Sequence, residues 1–420
     1  MKRTVLAGLA AVVMALGAVT AAVPGNAAAP SSPASSSFVS GQIMVKFRDN
    51  AAARGVLDRH GLNDGPAIGS TGAHLITVPA GKELHLIEAL SHNPAVEYAE
   101  PDLVVAPTGT DAFFDRQYAL QNDGQSFTNT KGDITVPKGT PDADVDAVEA
   151  WSVTTGANIK VAVLDSGVAT DNPDISPKVT ARANFTTART NEDNYGHGTH
   201  VAGIIAASRD NTIGVAGVCP GCTIMAGKVL TDTGMGSSSG LANGINWAAT
   251  NGAKVINMSL AVGASTTLET AVNNAWNKGV VLVASAGNGG NTSMMYPGAY
   301  QNVIAVGATD NNDKKASWST YGPTWVDVAA PGVSVYSTFP NHRFVLAREN
   351  NRSQGYDIGS GTSMSTPIVA AVAALVWSTS ANTSSDSVRA KVESTADPVG
   401  KGTDWKYGRV NACKAVGGTC

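Results

Sequence analysis

Three short segments carry an aspartate, a histidine and a serine in settings that suit covalent chemistry. Asp165 follows the apolar run Val-Ala-Val-Leu, His197 lies in Gly-His-Gly-Thr-His-Val-Ala-Gly, and Ser363 lies in Gly-Thr-Ser-Met-Ser-Thr-Pro. A serine hydroxyl acts as a nucleophile when an imidazole removes its proton, and a carboxylate can hold that imidazole in the required tautomer. Together the three segments predict nucleophilic catalysis.

Each of these residues taken alone has a simpler interpretation. An aspartate or a serine beside a turn is often only a cap for a helix or a turn. His197 and His200 are three apart at a predicted helix start, which would also suit two zinc ligands. A zinc site needs further ligands nearby, however, and the His-Glu-x-x-His spacing is absent. The three segments in order favour the catalytic interpretation.

These segments and their order resemble those of the subtilisin-like serine proteases (subtilases), in the branch of thermitase. The resemblance implies that Asp165, His197 and Ser363 form a catalytic triad, whereas His200 is structural. It also implies a secreted serine endopeptidase that is made as a zymogen and processes itself. The residue after Met364 is usually alanine in this family, so the serine found there is a small departure.

The run Ala-Ser-Ala-Gly-Asn-Gly resembles the oxyanion-hole segment of the same family, with Asn288 as the donor. An asparagine beside glycines is also common in turns. Two other classes of protein remain as alternatives. A non-catalytic secreted peptide-binding protein on the same fold would be expected to lack one of the four residues. A lipase or esterase would be expected to carry Gly-x-Ser-x-Gly, which does not surround Ser363.

The resemblance implies that peptide substrates bind as an added strand between two segments of the chain. The residues that match these segments are Gly234, Met235, Gly236, Ser259, Leu260 and Ala261. Ala261 replaces a usual glycine, and Met295 replaces a smaller residue. Both changes are expected to shrink the primary specificity pocket. Residues 342–354 look like an insertion relative to typical members.

A structural calcium site is a further implication of the resemblance, because oxygen ligands from several loops suit Ca²⁺. The side-chain ligands would be Asp111, Asp174 and Asn211, and the backbone carbonyl ligands would be Ser208, Ile213 and Val215. Aspartate and asparagine are also ordinary turn residues, and that alternative stays open here.

Four cysteines form two pairs that are close in sequence, Cys219 with Cys222 and Cys413 with Cys420. Two local disulfides are the favoured interpretation in an exported protein. A thioredoxin-like redox motif or half of a zinc site is the alternative, but no second Cys-x-x-Cys exists.

The N-terminus is typical of an export signal over residues 1–29, with a basic start, an apolar stretch and small residues at its end. A membrane anchor is the alternative. We expect the mature protein to be secreted, soluble and monomeric, without a membrane partner. The net charge of -4 provides no basic stripe for nucleic acid.

Apolar strands alternate with helical stretches across residues 109–420, which predicts an α/β domain. We expect a mostly parallel central sheet with helices on both faces, as in subtilisin. Residues 30–108 are expected to form a propeptide whose ordered part, about 38–105, is a small α+β ferredoxin-like unit. The resemblance implies that it acts as chaperone and inhibitor; a small domain retained in the mature protein is the alternative.

Overall fold

A computed structural model of the chain describes residues 38–103, 111–380 and 383–420. The predicted signal (1–29) therefore lies outside the described residues, as do residues 30–37 and the predicted processing region 104–110. The chain divides into two compact units, Met1–Pro107 and Thr108–Cys420. In the described residues no helix is long and apolar enough to cross a membrane.

The N-terminal unit is a three-stranded antiparallel sheet packed against two helices. Its elements are β1 (Phe38–Phe47), α1 (Asn50–Asp58), β2 (Ala73–Thr77), α2 (Glu83–Ser91) and β3 (Val96–Leu103), with β1 in the centre of the sheet. A single bridge between Ala67 and His74 continues the sheet beyond β2. This bridge stands where a ferredoxin-like sheet would have its fourth strand.

The C-terminal unit alternates strands with helices, as predicted. Its elements are β4 (Phe127–Thr128), β5 (Thr135–Val136), α3 (Ala147–Ala150), β6 (Lys160–Asp165), β7 (Val179–Asn184), α4 (His197–Ala206), β8 (Thr223–Lys228), α5 (Ser238–Thr250), β9 (Val255–Met258), α6 (Thr266–Asn277), β10 (Val281–Ser285), β11 (Ile304–Thr309), β12 (Val328–Pro331), β13 (Val335–Thr338), α7 (Val345–Glu349), β14 (Tyr356–Gly359), α8 (Thr362–Ser378), α9 (Ser385–Ser394), β15 (Gly408–Arg409) and α10 (Ala412–Val416).

The central sheet has eight strands in the order β15-β12-β11-β10-β9-β6-β8-β7, and every neighbouring pair is parallel. Its strands are apolar on both faces because helices cover both sides. In β6, Val161 and Val163 belong to one hydrophobic core, while Ala162 and Leu164 belong to the other. The predicted α/β fold is confirmed.

The two hydrophobic cores show which face of the sheet each helix covers. α4 and α8 pack on one face of the sheet, and α5 and α6 pack on the other. α8 is almost wholly buried, since its side chains face the sheet on one side and neighbouring helices on the other. Alanine and valine dominate α8, and such small side chains allow helices and strands to approach closely on all sides.

The direction of the sheet order changes at β6. The chain leaves β6, adds β7 and β8 on one side, and then crosses to add β9 on the other. In open parallel sheets such a reversal leaves a crevice at the carboxyl ends of the strands, where ligands bind. Asp165, the last residue of β6, lies at this crevice.

A buried arginine ties the C-terminal strand to three loops. Arg409 is almost fully buried, and its guanidinium donates to Asp313 Oδ2 at 2.7 Å, to Asp397 Oδ2 at 2.9 Å and to the carbonyl of Asp142 at 2.9 Å. Carboxylates of Asp142, Asp144 and Asp146 lie within 4.8 Å of one another beside it. Burial raises the pKa of Asp144 to about 7.

We expect Arg409→Met to lower the free energy of unfolding by about 3 kcal/mol, because removing one partner leaves buried carboxylates without their cation. The measurement is denaturant unfolding followed by tryptophan fluorescence, in a Ser363→Ala background that prevents self-digestion. Arg348→Met is the matched control, since Arg348 is 78% exposed. Equal midpoints for Arg409→Met and Arg348→Met would contradict this stabilising role.

Candidate active site

Asp165 and His197 form the centre of the candidate site. The Asp165 side chain is fully buried, and its two oxygens lie 2.8 and 2.9 Å from Nδ1 of His197. The N–H of Ser166 donates to the same carboxylate at 2.7 Å. The contact assigns the proton of the neutral imidazole to Nδ1, which leaves Nε2 as the acceptor. This is the arrangement that a general base requires.

The Asp165 carboxylate also sets the proton affinity of the base. Burial of the imidazole lowers its pKa, but the charges of Asp165 and Asp193 and the hydrogen bond to Asp165 raise it by more. The pKa of His197 therefore lies above its usual value of 6.5. His200 behaves in the opposite way: burial and the neighbouring His197 lower its pKa to about 3, so it stays neutral.

Asp193 fixes the start of the helix that carries His197, although it was not among the predicted site residues. It is fully buried and accepts hydrogen bonds from the N–H groups of Gly196 and Thr199 at 2.7 and 2.8 Å. It also accepts from the hydroxyl of Ser166 at 2.8 Å. An aspartate four residues before a predicted catalytic histidine at a helix start was the signal that could have revealed it.

Ser363 lies in the first turn of α8, and a proline determines its partners. Pro367 has no N–H to bond the Ser363 carbonyl one turn earlier. That carbonyl instead accepts the hydroxyl of Ser259 at 2.8 Å, and the Ser363 hydroxyl donates to the Ser259 carbonyl at 3.2 Å. The predicted nucleophile is thus joined to a predicted substrate-binding segment. Among the described residues its hydroxyl makes no hydrogen bond with His197.

Two N–H groups are available for an oxyanion near Ser363. The side-chain oxygen of Asn288 accepts from the N–H of Thr362 at 2.9 Å, which orients its amide nitrogen the other way. Neither that nitrogen nor the backbone N–H of Ser363 has an acceptor in the part of the chain that the structure describes. Asn288, Ser363 and His197 line one cavity of about 310 Å³. The donors meet the requirement for stabilising a developing negative charge.

The predicted substrate-binding segments lie together on the other side of His197. A second cavity, of about 430 Å³, is lined by Gly234, Met235, Gly236, Ser259, Leu260 and Ala261, together with His197. Met295 lines neither cavity. It is partly buried and packs beside Gly287, the residue before Asn288.

The predicted calcium ligands also come together. Asn211 donates to Asp174 Oδ1 at 2.8 Å, and its N–H donates to Asp111 Oδ1 at 3.1 Å. The other oxygen of Asp111 is buried without a hydrogen-bond partner. The carbonyls of Ser208, Ile213 and Val215 accept no hydrogen bond from the described residues. Burial and the nearby Asp111 charge raise the pKa of Asp174 to about 6.

The cysteines lie in the two predicted pairs. Cys219 and Cys222 have their Cα atoms 5.4 Å apart, and Cys413 and Cys420 have theirs 5.9 Å apart. Both separations fall within the range that a disulfide spans.

A parallel α/β sheet with an aspartate at the end of a central strand, and a histidine and a serine at the starts of two helices beside it, is the arrangement of a serine hydrolase. The model of the Subtilase family matches residues 156–411, and the model of the Fervidolysin N-terminal prodomain matches residues 24–102. The chain belongs to the subtilase family. It is therefore a serine-type endopeptidase that carries an N-terminal prodomain.

Similar proteins agree with this membership. Thermitase of Thermoactinomyces vulgaris is 47% identical over 65% of this chain and 93% of its own length. The thermophilic serine proteinase of Bacillus sp. strain AK1 is 39% identical over 90% of this chain and 88% of its own. A solved structure of a protease from Pseudoalteromonas arctica covers 74% of this chain and 99% of that chain, with 28% identity and a TM-score of 0.61.

The raised pKa of His197 predicts the pH dependence of the enzyme. As the predicted general base, His197 must be neutral to act, so kcat/KM should fall as the pH drops through the pKa of His197, and the midpoint should lie above 6.5. The measurement is kcat/KM for a peptide substrate between pH 5 and 10. Asp165→Asn should lower kcat by about 10⁴-fold. A wild-type midpoint at or below 6.5 would contradict the electrostatic role of Asp165.

Proposed function

We propose that the chain hydrolyses peptide bonds with Asp165, His197 and Ser363 as a catalytic triad, through an acyl-enzyme. The observation that carries this proposal is the contact of His197 Nδ1 with both oxygens of the buried Asp165 carboxylate. Such a contact has a catalytic use only where a nucleophile lies near Nε2, and Ser363 lines the same cavity as the imidazole.

The proposed reaction follows from the available atoms. Ser363 Oγ attacks the scissile carbonyl carbon while His197 Nε2 takes its proton. The oxyanion that forms is stabilised by the amide of Asn288 and by the N–H of Ser363, and loss of one such donor costs about 10²–10³ in kcat. The imidazolium then gives its proton to the leaving amine. Water releases the acyl group by the same steps in reverse.

The N-terminal unit is proposed to serve as an intramolecular chaperone and inhibitor, and residues 30–108 as the propeptide. The match of residues 24–102 to a prodomain supports this role. We propose that the enzyme removes it by cleavage between residues 104 and 111. Secretion as a monomer, after removal of residues 1–29, accords with disulfides in both cysteine pairs, because such bonds persist in oxidising compartments.

A structural calcium ion is proposed to bind between Asp111 and Asp174. Two buried carboxylates, one with an unpartnered oxygen, together with three unused carbonyls provide the hard oxygen donors that Ca²⁺ prefers. The cation would offset the repulsion between the two carboxylates. Asn211 would complete the ligand set, and the ion would join residue 111, near the start of the protease unit, to the loop 208–215.

Ser363→Ala should abolish proteolysis, and the protein should accumulate as the full-length precursor because it cannot cleave itself. The measurements are labelling with a fluorophosphonate, casein hydrolysis and the mass of the protein made in a protease-free host. Ser365→Ala is the control and should be labelled and processed normally. Normal processing of Ser363→Ala would refute self-cleavage, and retained casein hydrolysis would refute the nucleophile.

Chelation of calcium should lower thermal stability. An ion present at 1,000 times its dissociation constant stabilises the folded state by about 4 kcal/mol. The measurement is the melting temperature of the Ser363→Ala protein with calcium and with EDTA. Asp174→Ala should melt lower and be insensitive to EDTA, whereas the exposed Asp115→Ala should respond like its parent. A melting temperature unaffected by EDTA in the parent would exclude the site.

Ala261 lines the cavity of about 430 Å³ and should disfavour large aromatic residues before the scissile bond. Overfilling an occupied pocket costs about 1–3 kcal/mol, or roughly tenfold or more in kcat/KM. We expect a preference for leucine, methionine or alanine over tryptophan and tyrosine, and Ala261→Gly should shift it toward aromatic residues. The measurement is a peptide-library profile; Ala264→Gly, at an exposed position nearby, is the control. A wild-type profile dominated by aromatic residues would contradict this assignment.

A further inference from the structure

Residues 342–354 pack directly against the residues that lead into His197. Phe344 is buried, stacks on Phe339 with the ring centroids 5.0 Å apart, and fills the space beside Gly196. A side chain in place of Gly196 would collide with the Phe344 ring. The segment is therefore fixed to the wall of the active site by a buried aromatic anchor.

Backbone hydrogen bonds add to this anchor. The N–H of Val345 donates to the carbonyl of Asn194 at 2.9 Å, and the N–H of Leu346 donates to the carbonyl of Tyr195 at 3.1 Å. Because these bonds lie at the start of α7, they hold the short helix at a fixed position beside the catalytic histidine. The residues that follow α7 are consequently held near the cavity of Ser363.

Residues 342–354 supply one wall of that cavity. Leu346, Asn350 and Arg352 line the cavity of about 310 Å³ that also contains His197, Asn288 and Ser363. Gly359 also lines this cavity. A Cβ atom there would lie 2.8 Å from Cε1 of His200, so the His200 ring already occupies the space beside this glycine.

The direction in which a peptide substrate would run places the residues after the scissile bond in this cavity. The segments expected to pair with residues before the scissile bond line the other cavity, and His197 borders both. An extended peptide whose scissile carbonyl is at Ser363 must therefore continue into the cavity beside Arg352. At about 3.3 Å per residue, the first two residues after the bond span roughly 7 Å.

Arg352 brings an unpaired cation to this cavity. Its Nη1 is buried and has no hydrogen-bond partner among the described residues. A buried donor without an acceptor costs free energy, and a guanidinium fork matches the two oxygens of a carboxylate. Arg352 also borders a neighbouring cavity of about 720 Å³ whose lining includes Lys131, Arg343 and Arg348. An acidic neighbour is Asp133, whose pKa is lowered by side-chain hydrogen bonds and in part by the charge of Arg352. No carboxylate of the described residues lines either cavity, so the lining charge favours an anion.

We propose that residues 342–354 complete a subsite for the leaving side of the substrate, and that Arg352 binds a substrate carboxylate there. The carboxylate would belong to an aspartate or glutamate one or two positions after the scissile bond, or to the C-terminus of the substrate. The inference rests on the proposed function, since Ser363 defines where the scissile bond lies.

The test is a competition among unlabelled peptides that differ only in the two residues after the scissile bond, with the products followed by mass spectrometry. The pairs Gln-Gln, Glu-Gln and Gln-Glu are compared, all with amidated C-termini. The mature wild-type enzyme should cleave at least one glutamate peptide about tenfold faster than Gln-Gln, the scale of a hydrogen bond to a charged group. Arg352→Gln should bring this ratio close to one.

Arg348→Gln is the matched control, because it removes the same charge from an exposed position on α7. It should keep the preference of the wild type. An equal loss of the glutamate preference in Arg348→Gln and Arg352→Gln would indicate that the preference arises from long-range electrostatic attraction. It would overturn the direct contact with Arg352. Equal cleavage of all three amidated peptides by the wild type would rule out an acidic side chain as the bound group and leave the C-terminal carboxylate to the second arm. Cleavage of none of them would overturn the proposed function, and the subsite with it.

A second arm separates the two sources of the carboxylate. Peptides that end two residues after the scissile bond are compared as free acids and as amides. A preference for the free acid that disappears in Arg352→Gln assigns the subsite to the C-terminal carboxylate. A glutamate preference among amidated peptides assigns it to an acidic side chain. Either result supports binding of a carboxylate by Arg352. If the wild type shows neither preference, the proposal is refuted.

Discussion

A buried carboxylate requires hydrogen-bond donors around it, and this requirement at Asp165 determines the arrangement of the whole site. One donor is the N–H of Ser166, supplied by the turn that follows β6, and another is Nδ1 of His197 at the start of α4. Strand and helix must therefore meet at the carboxyl edge of the sheet. The same contact raises the pKa of His197, so one interaction both positions the imidazole and increases its affinity for a proton.

The position of α4 in turn depends on a second buried carboxylate. Asp193 accepts from the N–H groups of Gly196 and Thr199, while the Ser166 hydroxyl that donates to Asp193 accepts the N–H of Gly198. Asp165 and Asp193 are thus linked through Ser166. A shift of the helix start by one residue would break both sets of hydrogen bonds. This hydrogen-bond network holds His197 in place and allows only one register for the start of α4.

The local sequence was sufficient to predict the parallel sheet, since apolar strands such as β6 and β10 alternate with helical stretches and glycine turns. The contact between Asp165 and His197, in contrast, was expected only from the resemblance to the subtilases. The alternation does not give the exact ends of the elements. α6, for example, begins at Thr266 because the side chain of Ser265 accepts the N–H of Leu268 and caps the helix.

Long-range contacts were not accessible from the sequence. Nothing local indicates that Arg352 borders the cavity of Ser363, 11 positions later in the chain. The predicted pocket position of Met295 depended on resemblance alone. The structure places this side chain beside Gly287, a contact that depends on how the loop after β10 folds.

The paired hydrogen bonds between Ser363 and Ser259 connect the proposed nucleophile to the proposed substrate-binding segment. A peptide strand along that segment would bring an N–H that competes with the Ser363 hydroxyl for the Ser259 carbonyl. A displaced hydroxyl would be free to donate to His197, while the Ser259 hydroxyl would still hold the Ser363 backbone. Because Pro367 lacks the N–H that would otherwise bond the Ser363 carbonyl, a missing helical hydrogen bond would let the side chain respond to substrate while the backbone stays fixed.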